Sequence, residues 1–131
     1  MPALHARGAS TYRQVQVESS ESPLELVVML YDGALASLSQ ARDAMGRHDL
    51  VAKGRAMSKA MSIVGHLQGT LNMDAGGEVA EELDRLYLYI TERLLEANMK
   101  GAVEPIDESI KLLTTLRDAW SQIATAPAGR P

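Results

Sequence analysis

Apolar residues recur at helical spacing through most of this chain, and the prolines mark where helices can begin. The prolines are Pro2, Pro23, Pro105, Pro127 and Pro131, so none interrupts positions 24 to 104. Proline inside a helix removes a hydrogen bond and clashes with the preceding turn, so this uninterrupted stretch can hold long helices. Ser22-Pro23-Leu24-Glu25 predicts a sharp helix start. A serine cap is followed by proline where its missing N–H costs least, and a glutamate stands three residues after the cap. Helix is predicted from there to about Met45, with Gly46 able to end it. Asp49 suits the N-cap of a second helix running to about Leu71. The stretch from Asn72 to Gly77 is a break, because the paired Gly76-Gly77 weakens any helix. A third helix is predicted from about Glu78 to Met99, with Gly101 helping to close it. A fourth starts near Pro105 and ends near Ile123, with Asp107 and Glu108 in its first turn, where carboxylates suit the helix dipole.

Four helices of about 20 residues joined by short loops predict an all-α, antiparallel up-down-up-down four-helix bundle. No strand-like alternation competes with that reading. Residues 1–21 read as a mobile polar segment with Tyr12, Val15 and Val17 as isolated apolar points. Residues 22–124 form the bundle domain, and 125–131 read as a disordered tail.

The helices are more apolar than a bundle requires, since one stripe per helix is enough. In the first, Leu24, Val27, Val28, Tyr31, Leu35, Leu38 and Met45 form one face, while Leu26, Met29 and Leu30 add a second beside Gly33. In the second, Ile63 and Leu67 pair with Ala56 and Ala60, and Met57, Met61, Val64 and Leu71 widen the stripe. The third should face inward through Val79, Leu83, Leu86, Ile90 and Leu94. The fourth carries Ile106, Ile110, Leu113 and Trp120, with Leu112, Leu116 and Ile123. Broad stripes fill a tight bundle in which each helix touches two neighbours. They also suit grooves that receive the amphipathic helices of a partner. Periodicity does not choose between the two.

Composition narrows the function class. Hydrophobic residues make up 46% of 131, which is enough for one globular domain. Phe is absent, so aliphatic residues, Ala and seven Met fill the core, and Met suits an adaptable groove. The net charge of −4, without a basic run, argues against nucleic acid. No apolar run approaches the roughly 20 residues of a membrane span, and the N-terminus lacks a secretory apolar region. With no Cys, these features fit a soluble cytoplasmic protein.

Catalytic chemistry is hard to find. None of His5, His48 and His66 has Glu three residues before it, so the di-iron motif of bundles is missing. No His pair has the spacing of a helical zinc site. Neither Gly65-His66-Leu67-Gln68-Gly69 nor Gly76-Gly77 matches a phosphate loop. Glu78, Glu81 and Glu82 read as a solvated first turn. The chain therefore reads as non-enzymatic, with no cofactor and no metal. His66 raises one alternative, a histidine phosphotransfer bundle. There the Gly arrives one residue early, and the Lys that would neutralise a phosphoryl group is missing. A generic helical adaptor is the other alternative.

The chain resembles the flagellar secretion chaperone FliS family. The likeness begins at Tyr12 and runs through Ser22-Pro23-Leu24-Glu25-Leu26 and Met29-Leu30-Tyr31-Asp32-Gly33-Ala34. It continues at Leu71-Asn72-Met73, Gly76-Gly77-Glu78-Val79-Ala80 and Leu83-Asp84-Arg85-Leu86-Tyr87, with Tyr89. Arg93-Leu94, Glu96-Ala97-Asn98 and Leu116-Arg117-Asp118-Ala119-Trp120 complete it, so it spans about 12–123. The family often has Thr-Ala-Ser before the first helix; this chain has Ser19-Ser20-Glu21-Ser22, which keeps the cap chemistry.

The resemblance implies a four-helix bundle that binds the C-terminal segment of flagellin, blocks premature polymerisation and presents flagellin to the flagellar type III export gate. It implies an N-terminal segment lying over part of the groove when flagellin is absent, here through Tyr12, Val15 and Val17. Candidate flagellin contacts are Tyr12, Leu26, Met29 and Leu30, then Met57, Met61 and Val64, then Leu88 and Leu95. Tyr31, Asp32 and Gly33 are assigned to bundle architecture, and Asn72, Gly76 and Gly77 to the shape of the loop.

Overall fold

The computed structural model describes residues 23–125. These form four helices: α1 (Pro23–Gly46), α2 (Leu50–Gly69), α3 (Met73–Lys100) and α4 (Glu104–Ala124). There is no strand among the described residues. The predicted Ser22 cap, the N-terminal segment and the tail from 126 lie outside them.

Each helix packs along two neighbours, α1 on α2 and α4, and α3 on α2 and α4, which closes a square. Short linkers at 47–49, 70–72 and 101–103 force consecutive helices to run antiparallel. Polar ties set the register. Arg42 and Asp107, then Arg117 and Asp32, align α1 against α4 at 3.2 and 2.8 Å. Gln68 donates to Asp84 at 2.8 Å and Lys53 to the Asn98 carbonyl at 3.2 Å, aligning α2 against α3.

The ends follow local chemistry. The Asp49 side chain accepts from the Ala52 N–H at 3.0 Å and caps α2 as predicted. Gly101 closes α3 in the left-handed conformation (φ 66°), its N–H bonded to the Ala97 carbonyl. At the end of α1 the expectation needs correcting. Gly46 is the last helical residue, and the left-handed position falls to His48 at φ 57°. Three residues past the helix, the Asp49 N–H reaches back to the Ala44 carbonyl at 2.9 Å, which requires the sharp turn at His48. The break before α3 is also more particular than expected. Asn72 caps a helical turn by accepting from the Ala75 N–H, and the backbone then kinks at Gly77 (φ 53°, ψ −130°) before α3 continues. That combination of angles is open to glycine and strained for other residues. Helix α4 begins one residue earlier than predicted, so Glu104 and Asp107 occupy its first turn.

The core runs along the bundle axis. Tyr31, Leu38, Met57, Val64, Ile90, Leu94, Ile106 and Leu113 are fully covered, and Tyr87 almost so. Each such aliphatic side chain contributes about 1.5–3 kcal/mol by leaving water. Val79, expected to begin the inward stripe of α3, is instead 63% exposed. It stands just after the Gly77 kink, and the inward stripe starts at Ala80 and continues through Tyr87, Ile90, Leu94 and Ala97.

Candidate partner-binding groove

The candidate contact residues divide sharply. Leu26, Met57 and Val64 lie in the core at 2% exposure or less, so in this structure they offer nothing to a partner. They sit at the centre of their stripes rather than on the widened edge. Leu30 and Met61 are half-buried against the core. Met29, Leu88 and Leu95 are exposed. Tyr12 lies outside the described residues.

Two of the exposed residues share a row. Leu88, Leu95 and Met99 follow one another on one face of α3, and all are 47% exposed or more. The register set by Gln68–Asp84 and Lys53–Asn98 places α2 beside this row. Met61 of α2 then falls between Leu88 and Leu95, and exposed Leu50 stands opposite the Met99 end. Small Gly54 and Gly65 lie on the same side of α2, where a Cβ would meet open space. The result is a shallow apolar groove along the α2–α3 seam, made from long side chains on α3 and small or flexible residues on α2. Leu50 and Met99 were missed by the sequence reading because each occupies the end of a helix. The spacing of Leu88, Leu95 and Met99 was the signal that could have revealed the row.

Met29 lies away from this seam on the outer face of α1, and the structure does not bring it to Leu88 and Leu95. A second set of exposed apolar residues, Met73, Val79 and Ile123, gathers toward the end of the bundle where α1 begins and α4 stops.

Charge is distributed unevenly between the two helices that form the groove. Helix α2 carries Lys53, Arg55 and Lys59 and no carboxylate, whereas the first part of α3 carries Asp74, Glu78, Glu81, Glu82 and Asp84. On the opposite side of α3, Glu108 of α4 accepts from the Tyr89 hydroxyl at 2.6 Å and from Arg93 Nε at 2.7 Å. These two donors, Tyr89 first, hold the Glu108 carboxyl below its ordinary pKa, and the carboxylate in turn raises that of Tyr89.

The residues of the Leu-Tyr-Asp-Gly run prove to be ties between helices. Trp120 Nε1–H of α4 donates to the Tyr31 hydroxyl at 3.2 Å, and Arg117 of α4 grips Asp32. A Cβ on Gly33 would stand 3.3 Å from Ile63 Cδ1, so glycine permits the close approach of α1 to α2. Their assignment to architecture agrees with this packing.

Among the described residues no group of His, Asp and Glu is arranged to hold a metal ion, and no helix is long and apolar enough to cross a membrane. His66 is exposed on α2.

Comparison with known proteins adds a consistent picture. The family described as Flagellar protein FliS matches residues 5–127. The flagellar secretion chaperone FliS of Salmonella typhimurium is 43% identical over 123 residues, covering 91% of this chain and 91% of that protein. The flagellar secretion chaperone FliSB of Pseudomonas aeruginosa is 40% identical over 116 residues, covering 86% and 92%. The flagellar secretion chaperone FliS of Bacillus subtilis is 33% identical over 113 residues, covering 86% and 83%.

Proposed function

The chain belongs to the FliS family of flagellar secretion chaperones, and on that premise we propose that it binds the C-terminal segment of flagellin in the cytoplasm and delivers it to the flagellar type III export apparatus. The observation that carries the reading is the row Leu88, Leu95 and Met99, open to solvent beside Met61 and Leu50. Apolar surface concentrated in this way on a helical protein marks a docking site for another chain. A groove between two helices suits an amphipathic helix presenting its own apolar row.

The mechanism is competition. The terminal segments of flagellin associate through apolar faces, and a chaperone that buries one of those faces prevents the association. Ordering an unfolded segment costs conformational entropy, so the bound surface must be large. Flagellin therefore contacts more than the seam, with Met29 and Tyr12 as further points of attachment. Met57 and Val64, buried on α2, support the groove from beneath, while Leu26 belongs to the buried side of α1. No catalytic step and no nucleotide enter this cycle. Release at the export gate needs only that the gate compete for the segment.

Titration calorimetry of the full chain with a peptide covering the C-terminal segment of the cognate flagellin tests the proposal. Saturable one-to-one binding with a large negative heat-capacity change supports coupled folding onto an apolar surface. Absence of binding at micromolar concentrations removes flagellin as the partner.

A further inference from the structure

At the end of the bundle formed by the α1–α2 and α3–α4 turns lies an open cleft of about 610 Å³. Met45, Leu50 and Val103 supply apolar wall, and Arg42, His48 and Lys53 supply basic groups; Glu104 is the one carboxylate lining it among the described residues. Lys53 is the unusual member. It is only 9% exposed, yet among the described residues its ammonium has a single hydrogen bond, to the Asn98 carbonyl at 3.2 Å. An ammonium has three N–H donors. That carbonyl takes one of them, so the ammonium keeps two donors for an anionic acceptor entering the cleft it lines. Arg42 uses Nε on Asp107 and keeps its terminal nitrogens for another acceptor.

The cleft adjoins the groove, because Leu50 belongs to both and exposed Met99 stands two residues before Gly101 of the cleft wall. A helix lying in the groove and pointing toward Leu50 would therefore end at Lys53. The C-terminus of a helix carries unpaired carbonyls and the negative end of its dipole, and a chain end adds a full negative charge. We propose that the cleft receives the chain-terminal α-carboxylate of the bound segment, with Lys53 as the main counter-ion and Arg42 as the second. The inference rests on the chaperone reading above and deepens it. It fixes a direction: the bound helix runs parallel to α3 and antiparallel to α2, with its last side chain against Met45, Leu50 and Val103.

The test compares two synthetic peptides covering the C-terminal segment of the cognate flagellin, one ending in a free carboxylate and one in an amide. Each is titrated into the full native chain and into Lys53→Met. The amide should bind the native chain about tenfold more weakly than the acid, the scale of one hydrogen bond to a charged group. In Lys53→Met the two peptides should differ by less than about threefold. Equal binding of acid and amide to the native chain overturns the carboxylate site and leaves the chaperone reading standing. Binding of neither peptide overturns both. Should Lys53→Met fail to fold, the native-chain comparison decides, with Arg42→Gln as the second variant.

Discussion

The hydroxyl oxygens of Tyr31 and Tyr87 lie 2.5 Å apart in the centre of the bundle, although α1 and α3 face each other across its diagonal rather than along an edge. Either hydroxyl can be the donor. Trp120 donates to the same Tyr31 oxygen from α4, so three helices meet at one buried polar point. A bundle with an aliphatic core can rotate or slide its helices at small cost, and a polar point that must be satisfied restricts such movement.

The two tyrosines should respond unequally to mutation. Tyr31→Phe strands both the Tyr87 hydroxyl and the Trp120 N–H, and should cost about 2–3 kcal/mol. Tyr87→Phe leaves Tyr31 bonded to Trp120 and should cost about 1 kcal/mol. The double variant should lose less than the sum, because the Tyr87 hydroxyl stranded by the first change is absent. Urea denaturation of the three variants measures this, and equal losses for the two single variants would contradict the network.

The same pair predicts alkaline sensitivity. Burial raises the pKa of both phenols above the ordinary 10.0. Folding therefore holds protons that the unfolded chain gives up. Their contribution is intact below pH 10 and declines as the pH rises above it toward the folded values. Tyrosinate absorbance should show these two residues ionising only as the helical circular dichroism is lost. A phenolate signal from Tyr31 or Tyr87 in the folded protein would contradict the burial.

Groove and core should separate by phenotype. Leu88→Glu and Leu95→Glu should weaken the proposed binding of the flagellin segment by at least about tenfold while changing stability by less than about 1 kcal/mol, since both side chains face water. Met57→Ala and Val64→Ala should destabilise by about 1–5 kcal/mol, because they leave cavities. Calorimetric binding and denaturant melts on the same four variants check the division.

Gly77→Ala should cost about 1–3 kcal/mol, because φ 53° with ψ −130° is strained for any side-chain-bearing residue. Gly65→Ala, on a helical residue with open space around the new Cβ, should instead be neutral or stabilising by up to about 1 kcal/mol. Thermal melts of the two variants shifting in the same direction would overturn the account of the kink.

Ser109 provides a test in the stabilising direction. Its hydroxyl is buried without a hydrogen-bond partner among the described residues. Ser109→Ala removes that unmet demand and should raise stability by up to about 1–2 kcal/mol, measurable as a higher urea midpoint at unchanged slope.

By itself, the sequence determined the number of helices, their approximate ends and their antiparallel order. Those features depend on local chemistry: Pro23, the Asp49 cap, Gly101, and linkers too short for any connection but a reversal. It also determined the family likeness and the structural character of Tyr31, Asp32 and Gly33. The tertiary structure decided which apolar residues remain available. Periodicity reports how wide a stripe is, but the part that is covered depends on how each helix is rotated against two neighbours. Met57 and Val64 were therefore indistinguishable in sequence from Met61, though two lie in the core and the third borders the groove. The cleft around Lys53 was equally invisible, because it joins residues 42–53 to residues 101–104 and exists only where two turns meet in space.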